Sequence, residues 1–363
     1  MSAEQSSFFR VYGMSQSFFT RKLEGYLSYK GIPYRLRRCA GAVPEARAAG
    51  WPGGVPVVRT PEGAWCWDTT EVIEHLETRH PEPSVLPPDP VQLFLCYALE
   101  DAFDEWLYRA AVGSRWHFEE NHRVGGFELA RDLSFEAPVT ADQAAQLVRA
   151  HVTATCEPFG VTAANVGAWI DEVLRPWQRA LEAHLAASPY LFGGRPSLAD
   201  FALFGGCAAH LANDPLCRRW LDADAPALGK HTQRLLEPEE QAFGPWAPAD
   251  PVPDTLVALV AELGRSYLPW VSRATEAGRA ELAFAGGSRI EIAATPFLAN
   301  ARGVLLARYT ALRSPALDAL LERASVRAYY ADFVGQAGVV PDPTSPPRPA
   351  RNRPFPPPWE RER

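Results

Sequence analysis

The sequence predicts an α/β domain followed by an all-α helical-bundle domain, with a mostly helical extension behind them. Three observations predict it. Residues 8–80 alternate short aromatic and β-branched runs with helical periodicity, in the order β-α-β and then β-β-α. Residues 81–90 hold five prolines and read as a linker. Beyond them nearly every apolar pattern repeats at helical spacing. A length of 363 residues suits two folded units and an appendage, at ~150 residues per domain.

The elements follow in order. Phe8 to Tyr12 reads as a strand, and the turn Gly13 to Gln16 leads into a helix from Ser17 to Tyr29. Phe19, Leu23, Tyr26 and Leu27 form its apolar stripe, and Gly31 stops it. Tyr34 to Arg37 is a second strand, followed by an irregular Ala/Gly/Pro stretch. A third strand is entered through Pro56, a residue that suits a strand start or edge. The turn Glu62-Gly63 leads to a fourth, Ala64 to Trp67. Asp68 then caps a helix from Thr69 to Thr78. The all-helical domain, 91–245, is expected to carry helices near 89–112, 140–156, 163–187, 197–211, 215–222 and 226–236, with 113–139 as a loop or lid. In the extension, 250–335, helices are expected over Thr255–Ala277, Leu298–Leu312 and Ser314–Phe333. A hairpin of Glu281–Ala285 and Arg289–Ala293 turns at Gly286-Gly287. Residues 340–363, rich in proline, read as a disordered tail.

Composition narrows the function. Lys and Arg number 36 against 43 Asp and Glu, a formal charge of −7 that argues against a nucleic-acid partner. No apolar run reaches the ~18 residues of a membrane span, and Met1 to Ser7 lacks a secretory profile, so a cytoplasmic location is expected. The six cysteines form no CxxC pair and read as reduced thiols.

Three short motifs carry chemistry. In Tyr12-Gly13-Met14-Ser15-Gln16-Ser17-Phe18-Phe19 a strand ends and feeds a helix that opens on a serine. The unpaired N–H groups and positive dipole end of a helix N-terminus favour an anion. A thiolate held there by Ser17 would be stabilised, although a serine at that position is equally an ordinary cap. Val55-Pro56 precedes a strand; a cis bond would turn the Val55 backbone outward toward an extended peptide, and a trans proline at an edge is the plainer alternative. Asp68-Thr69 puts a carboxylate and a hydroxyl at a helix start, where they either cap the helix or receive an amino-acid head group. Farther on, Ser197-Leu198-Ala199-Asp200 is a capping box.

Taken in this order on this frame, the motifs resemble those of the glutathione S-transferase family over about 8–240. Ser17-Phe18-Phe19-Thr20 falls where that family has its catalytic serine or cysteine, and Lys30-Gly31-Ile32-Pro33-Tyr34 is similar to its first helix and second strand. Tyr190 to Asp200 resembles its sixth-helix signature. The resemblance implies a thioredoxin-like domain over 8–80 joined to the helical one, and glutathione as co-substrate. It also implies Ser17 as the catalytic residue and Val55, Pro56, Asp68 and Thr69 as the glutathione-binding set. Tyr12, Tyr108, Arg115 and Trp116 are candidates for the substrate side, for a small hydrophobic electrophile, and a homodimer is expected. The sequence departs from the family pattern at Gly53-Gly54, where many members carry a basic residue, at Asp68 instead of Glu or Gln, and at Phe18 instead of proline. Gly53-Gly54 and the long extension motivate a non-catalytic binding or scaffold protein; an isomerase, lyase or dehalogenase that uses glutathione as a cofactor is the other rival. No metal site is expected. Glu100, Asp101, Asp104 and Glu105 read as a solvated helix face, and Tyr267 to Trp270 as either a cover for the electrophile pocket or bundle packing.

Overall fold

The computed structural model of the chain describes residues 7–38, 43–134, 156–238 and 242–344, with 140, 142, 143, 146 and 148 between them. Its first unit is a four-stranded sheet in the order β2-β1-β3-β4. Here β1 is Phe9–Tyr12, β2 Tyr34–Arg37, β3 Val57–Arg59 and β4 Trp65–Trp67. β1 pairs parallel to β2 from Phe9 opposite Tyr34, and antiparallel to β3 from Tyr12 opposite Val57. α1 (Phe18–Tyr29) makes the crossover between the parallel strands, and α3 (Thr69–Arg79) follows β4. This is the α/β order that the strand and helix signals predict. One element was missed: the stretch read as irregular holds α2, Val43–Ala48, with Pro44 in its first turn. Ala46 from it is fully buried with Trp51, Val57 and Trp67 in a small aromatic cluster of its own.

The second unit is all helix. α4 (Pro90–Ala102) runs through a π-turn at Phe103–Leu107 into α5 (Tyr108–His117), and α6 is Glu119–Ser134. The expectation of a loop or lid over 113–139 is therefore wrong up to Ser134. That segment lacks apolar periodicity because polar groups hold it. Asn121, fully buried, donates to Ser114 O at 3.0 Å and accepts from Leu216 N at 2.8 Å. Gly125 lets the stem of Arg115 pass where a Cβ would stand 2.7 Å from its Cδ. The expected helix 140–156 lies mostly outside the described residues.

After a short helix (Val166–Trp169) and a second π-turn come α7 (Arg175–Leu185), α8 (Leu198–Gly206), α9 (Pro215–Asp224) and α10 (Pro226–Leu236). The capping box forms as expected. Ser197 Oγ accepts from Asp200 N, and the Asp200 carboxylate accepts from Ser197 N at 2.8 Å and from Leu191 N at 3.0 Å.

The extension folds onto both units. Thr255–Ala277 is two helices, α11 (Asp254–Leu263) and α12 (Tyr267–Ala277), broken at Gly264. The hairpin strands are β5 (Arg279–Ala283) and β6 (Arg289–Ala293); the first starts two residues earlier than expected, because Gly278 at φ 80° already turns the chain. α13 (Pro296–Leu312) packs against α4, and α14 (Pro315–Arg323) ends short of Phe333 at Ser325, whose φ is 57°. Tyr267 and Trp270 belong to the core: Trp270 stacks on Trp106 with ring centroids 5.2 Å apart. The described part of the tail lies on α3, where Pro343 O and His75 Nδ1 stand 3.0 Å apart; residues 345–363 lie outside the described residues.

Candidate active site

α1 is held tightly at the end that matters. Its N-terminus crosses α8 at two glycines: a Cβ on Gly205 would stand 2.6 Å from Phe18 O, and one on Gly206 2.5 Å from the Phe18 ring. The preceding turn is fixed from the other side. Arg115 Nη1 donates to Gln16 O at 2.9 Å, and its Nε donates to both Asp214 carboxylate oxygens at 2.9 and 3.1 Å. Between these supports Ser17 is the N-cap of α1, half-buried, its Oγ accepting from Thr20 N at 3.3 Å. No acidic residue stands in the first turn of α1 to oppose an anion there.

Beside the first turn of α1 runs a narrow cleft lined by Phe19, Gly53, Gly54, Val55, Pro56, Trp67, Asp68 and Thr69; Ser17 is not among its lining residues. The Val55-Pro56 bond is cis, and the ladder of β3 begins only at Val57. Asp68 sits at φ 75°, a conformation that is strained for a residue with a Cβ and that collects at functional sites. Its Oδ1 accepts from Thr70 N at 3.1 Å, so it caps α3 and still faces the cleft. Val55, Pro56, Asp68 and Thr69 thus come together on one cleft, which α1 reaches through Phe19, two residues after Ser17.

The other candidates divide. Tyr108, half-buried, meets Phe18, Phe19 and Phe159 at 5.2–5.6 Å between ring centroids, an aromatic flank beside the α1 N-terminus. Tyr12 packs on Trp65 at 5.5 Å, next to Val55 in the small cluster. Trp116 packs on His122 and lines no cavity described here. Arg115 is a correction: it is only 2 % exposed and its guanidinium is committed to Asp214, Gln16 O and Ala209 O, so it positions the Ser17 turn and meets no substrate. The described cysteines are no rivals to Ser17. All are buried, and burial pushes the thiols of Cys66, Cys96, Cys156 and Cys207 up to about 12 and that of Cys217 to about 11.

Sequence reasoning missed a buried ionic centre. Lys22 on α1 has no exposed surface; its Nζ donates to Glu100 Oε1 at 2.5 Å, Asp104 Oδ2 at 2.6 Å and Thr70 Oγ1 at 3.1 Å. Burial alone would lower its pKa, yet the two carboxylates outweigh that and hold the ammonium above its ordinary range. One lysine does not satisfy two buried acids. Desolvation, with Glu100 beside it, drives the Asp104 carboxyl well above the usual range; burial acts on Glu100 as well, but Lys22 wins there and its pKa falls. Asp101 is pushed up to about 6 by burial, against the hydrogen bond from Tyr267 Oη at 2.6 Å. The reading of these acids as a solvated face is therefore overturned, because a cation from α1 and a helix from the extension cover them. The only local signal was four acids crowded into two helical turns.

Residues 11–84 match the family model described as the glutathione S-transferase N-terminal domain, and residues 163–234 match that of the glutathione S-transferase C-terminal domain. A search of the curated proteins gives no match. Similar solved structures include a glutathione S-transferase from Methylobacterium radiotolerans in complex with glutathione sulfonate: 19% identity, 68% of this chain and 99% of that one, TM-score 0.39. A β-etherase from Sphingobium is similar at 17% identity, over 62% of this chain and 94% of that one, with a TM-score of 0.45. A maleylacetoacetate isomerase from Anaeromyxobacter dehalogenans is similar at 20% identity, over 69% and 99%, with a TM-score of 0.32. By these two models, the chain carries a glutathione S-transferase N-terminal domain followed by a glutathione S-transferase C-terminal domain.

Proposed function

We propose that the protein is a glutathione-dependent transferase that binds the tripeptide along the Val55–Asp68 cleft and activates its thiol at Ser17 for attack on a small hydrophobic electrophile. The observation that carries this reading is the convergence of Val55, Asp68 and Thr69 on one cleft beside the capped N-terminus of α1. The cysteinyl backbone would pair with the Val55 peptide, and the γ-glutamyl head group would meet the Asp68 carboxylate and the Thr69 hydroxyl. Ser17 would then donate its hydroxyl proton in a hydrogen bond to the sulfur. A free thiol has a pKa of ~8.5, and lowering it by two units takes ~2.7 kcal/mol of differential stabilisation. A charge-assisted hydrogen bond and a helix dipole together supply that order of energy. The electrophile would rest on the flank of Phe19 and Tyr108.

The test is Ser17→Ala. Turnover of glutathione with an aromatic halide is expected to fall by ~10²-fold while the circular dichroism stays unchanged; turnover equal to that of the parent would remove Ser17 from the mechanism. The second reading, a binding protein without catalysis, rests on Gly53 and Gly54, whose positions at φ 111° and 84° offer the cleft no cation for a peptide carboxylate. Glutathione binding without turnover, in calorimetry, would favour it.

A further inference from the structure

The sheet of the first unit has a bare edge at β2, which is an outer strand with no strand of the described residues beyond it. Pro33 O and Arg37 O accept from Phe9 N at 2.9 Å and from Gly13 N at 3.0 Å. Residues 33, 35 and 37 therefore turn their backbone groups to β1, and by the alternation of a parallel pair Tyr34 and Leu36 turn theirs outward. Neither of those outward N–H groups has a partner among the described residues. Side chains sort by face along the same edge. Tyr34 and Leu36 pack against the main core, while Arg35 and Arg37 are exposed on the opposite face. Arg10 of β1 stands in register beside Arg35, and their guanidiniums lie 5.6 and 4.2 Å from the centroid of the Phe8 ring. Among the described residues none of these three arginines has a carboxylate partner. Arg59 of β3, next along the row, does have one: Glu45 of α2 meets it at 3.1 Å. Like charges side by side on a sheet repel, so carboxylates brought to this edge would relieve the row. The chain as a whole carries −7, so the row is a local feature and not part of a general basic surface.

We propose that the β2 edge docks an extended acidic segment of a partner protein, which adds as a further strand and sets carboxylates on alternate residues against Arg35 and Arg37. Both halves of that description come from β2 itself. The outward groups of Tyr34 and Leu36 call for an extended backbone, whose own N–H and C=O groups pair with them. Side chains of a strand alternate with a period of two, so carboxylates at i and i+2 fall on the face that carries Arg35 and Arg37. In an antiparallel pairing these are the non-hydrogen-bonded positions, where opposed Cα atoms approach to about 4.5 Å. The residues between them bring apolar side chains beside Tyr34 and Leu36. A second copy of the chain is the wrong occupant, because two β2 edges laid together would oppose arginine to arginine. The cleft takes no residue from β2, and the docking surface does not depend on glutathione binding there.

The experiment is calorimetric titration of the full chain with the synthetic peptide acetyl-Glu-Val-Glu-Val-Glu-amide. Saturable binding is expected, weakening as salt rises from about 0.05 to about 0.5 M, with slower deuterium uptake over residues 33–37. The peptide acetyl-Glu-Pro-Glu-Pro-Glu-amide keeps every charge and loses the N–H groups that pair with β2, so it should bind at least about tenfold more weakly. The double variant Arg35→Glu, Arg37→Glu changes only exposed side chains and should keep the melting temperature. It should bind the acidic peptide at least about tenfold more weakly and take acetyl-Lys-Val-Lys-Val-Lys-amide in its place. No saturable binding by the parent chain, equal binding of the proline peptide, undiminished binding by the double variant, or protection confined to other residues would overturn the docking surface. The peptides carry no thiol and no turnover is read, so none of these results depends on the transferase reading.

Discussion

A carboxylate shut away from water is costly unless something compensates it, and Asp101 is under-compensated. Its pKa of about 6, against an ordinary 3.8, means that the folded chain holds a proton there which the unfolded chain has already lost. The contribution to stability is whole below pH ~4 and drains away as pH rises through 6. Asp101→Asn removes the ionisation and keeps an oxygen to accept from Tyr267. Denaturation at pH 7.5 should therefore find the variant more stable by about 1–3 kcal/mol, and at pH 4 no more stable than the parent. This residue also marks what the sequence left hidden. Asp68 as an N-cap and Ser197 with Asp200 as a capping box were legible because their partners lie two or three residues away. The partner of Asp104 lies 82 residues away and that of Arg115 99 residues away, and local spacing carries no trace of them. Ser17, Val55, Pro56, Asp68 and Thr69 were picked out because each sits at an element boundary, where one residue type does one job.

Elements tell the same story one level up. Helices with an apolar stripe, such as α1, were readable from periodicity, and their ends from caps and glycines. α6 was not, since its buried face, among the described residues, is Asn121, two glycines, one of which admits the stem of an arginine, and a single large apolar residue, Leu129. The long helices expected in the extension broke at Gly264 and just before Ser325, whose φ of 57° no helix continues through. The crossing of α1 and α8 is the contact on which the site depends, and it is closed by glycine. Gly205→Ala gains helix propensity of ~1 kcal/mol but drives a methyl to 2.6 Å from the Phe18 carbonyl, which is backbone and has little room to yield. A net loss of about 1–2 kcal/mol in urea denaturation is expected, with a matching loss of glutathione binding, because Phe18 follows Ser17 directly. Unchanged binding would mean that the turn is held by Arg115 alone.

For the whole molecule the decisive contact is Arg308 of α13 with Glu74 of α3, both oxygens engaged and both residues buried; the guanidinium also lies 3.7 Å over the Tyr97 ring of α4. Breaking a buried pair by removing one partner costs about 3–5 kcal/mol, because the remaining charge stays unpaid. Arg308→Met should lower stability by that order at pH 8. Burial already raises the Glu74 carboxyl, and without Arg308 it rises further, so the deficit should shrink as pH falls toward 5 and Glu74 takes a proton. Melting curves across that range decide it: a deficit independent of pH would mean that lost packing on Tyr97, not charge, is what matters. The same contact limits how the two domains can move. α13 grips a helix on each side of the proline linker 81–90, so the halves cannot swing apart like jaws. The crevice therefore has its width set when the chain folds, before any guest arrives, by a clasp that lies outside it.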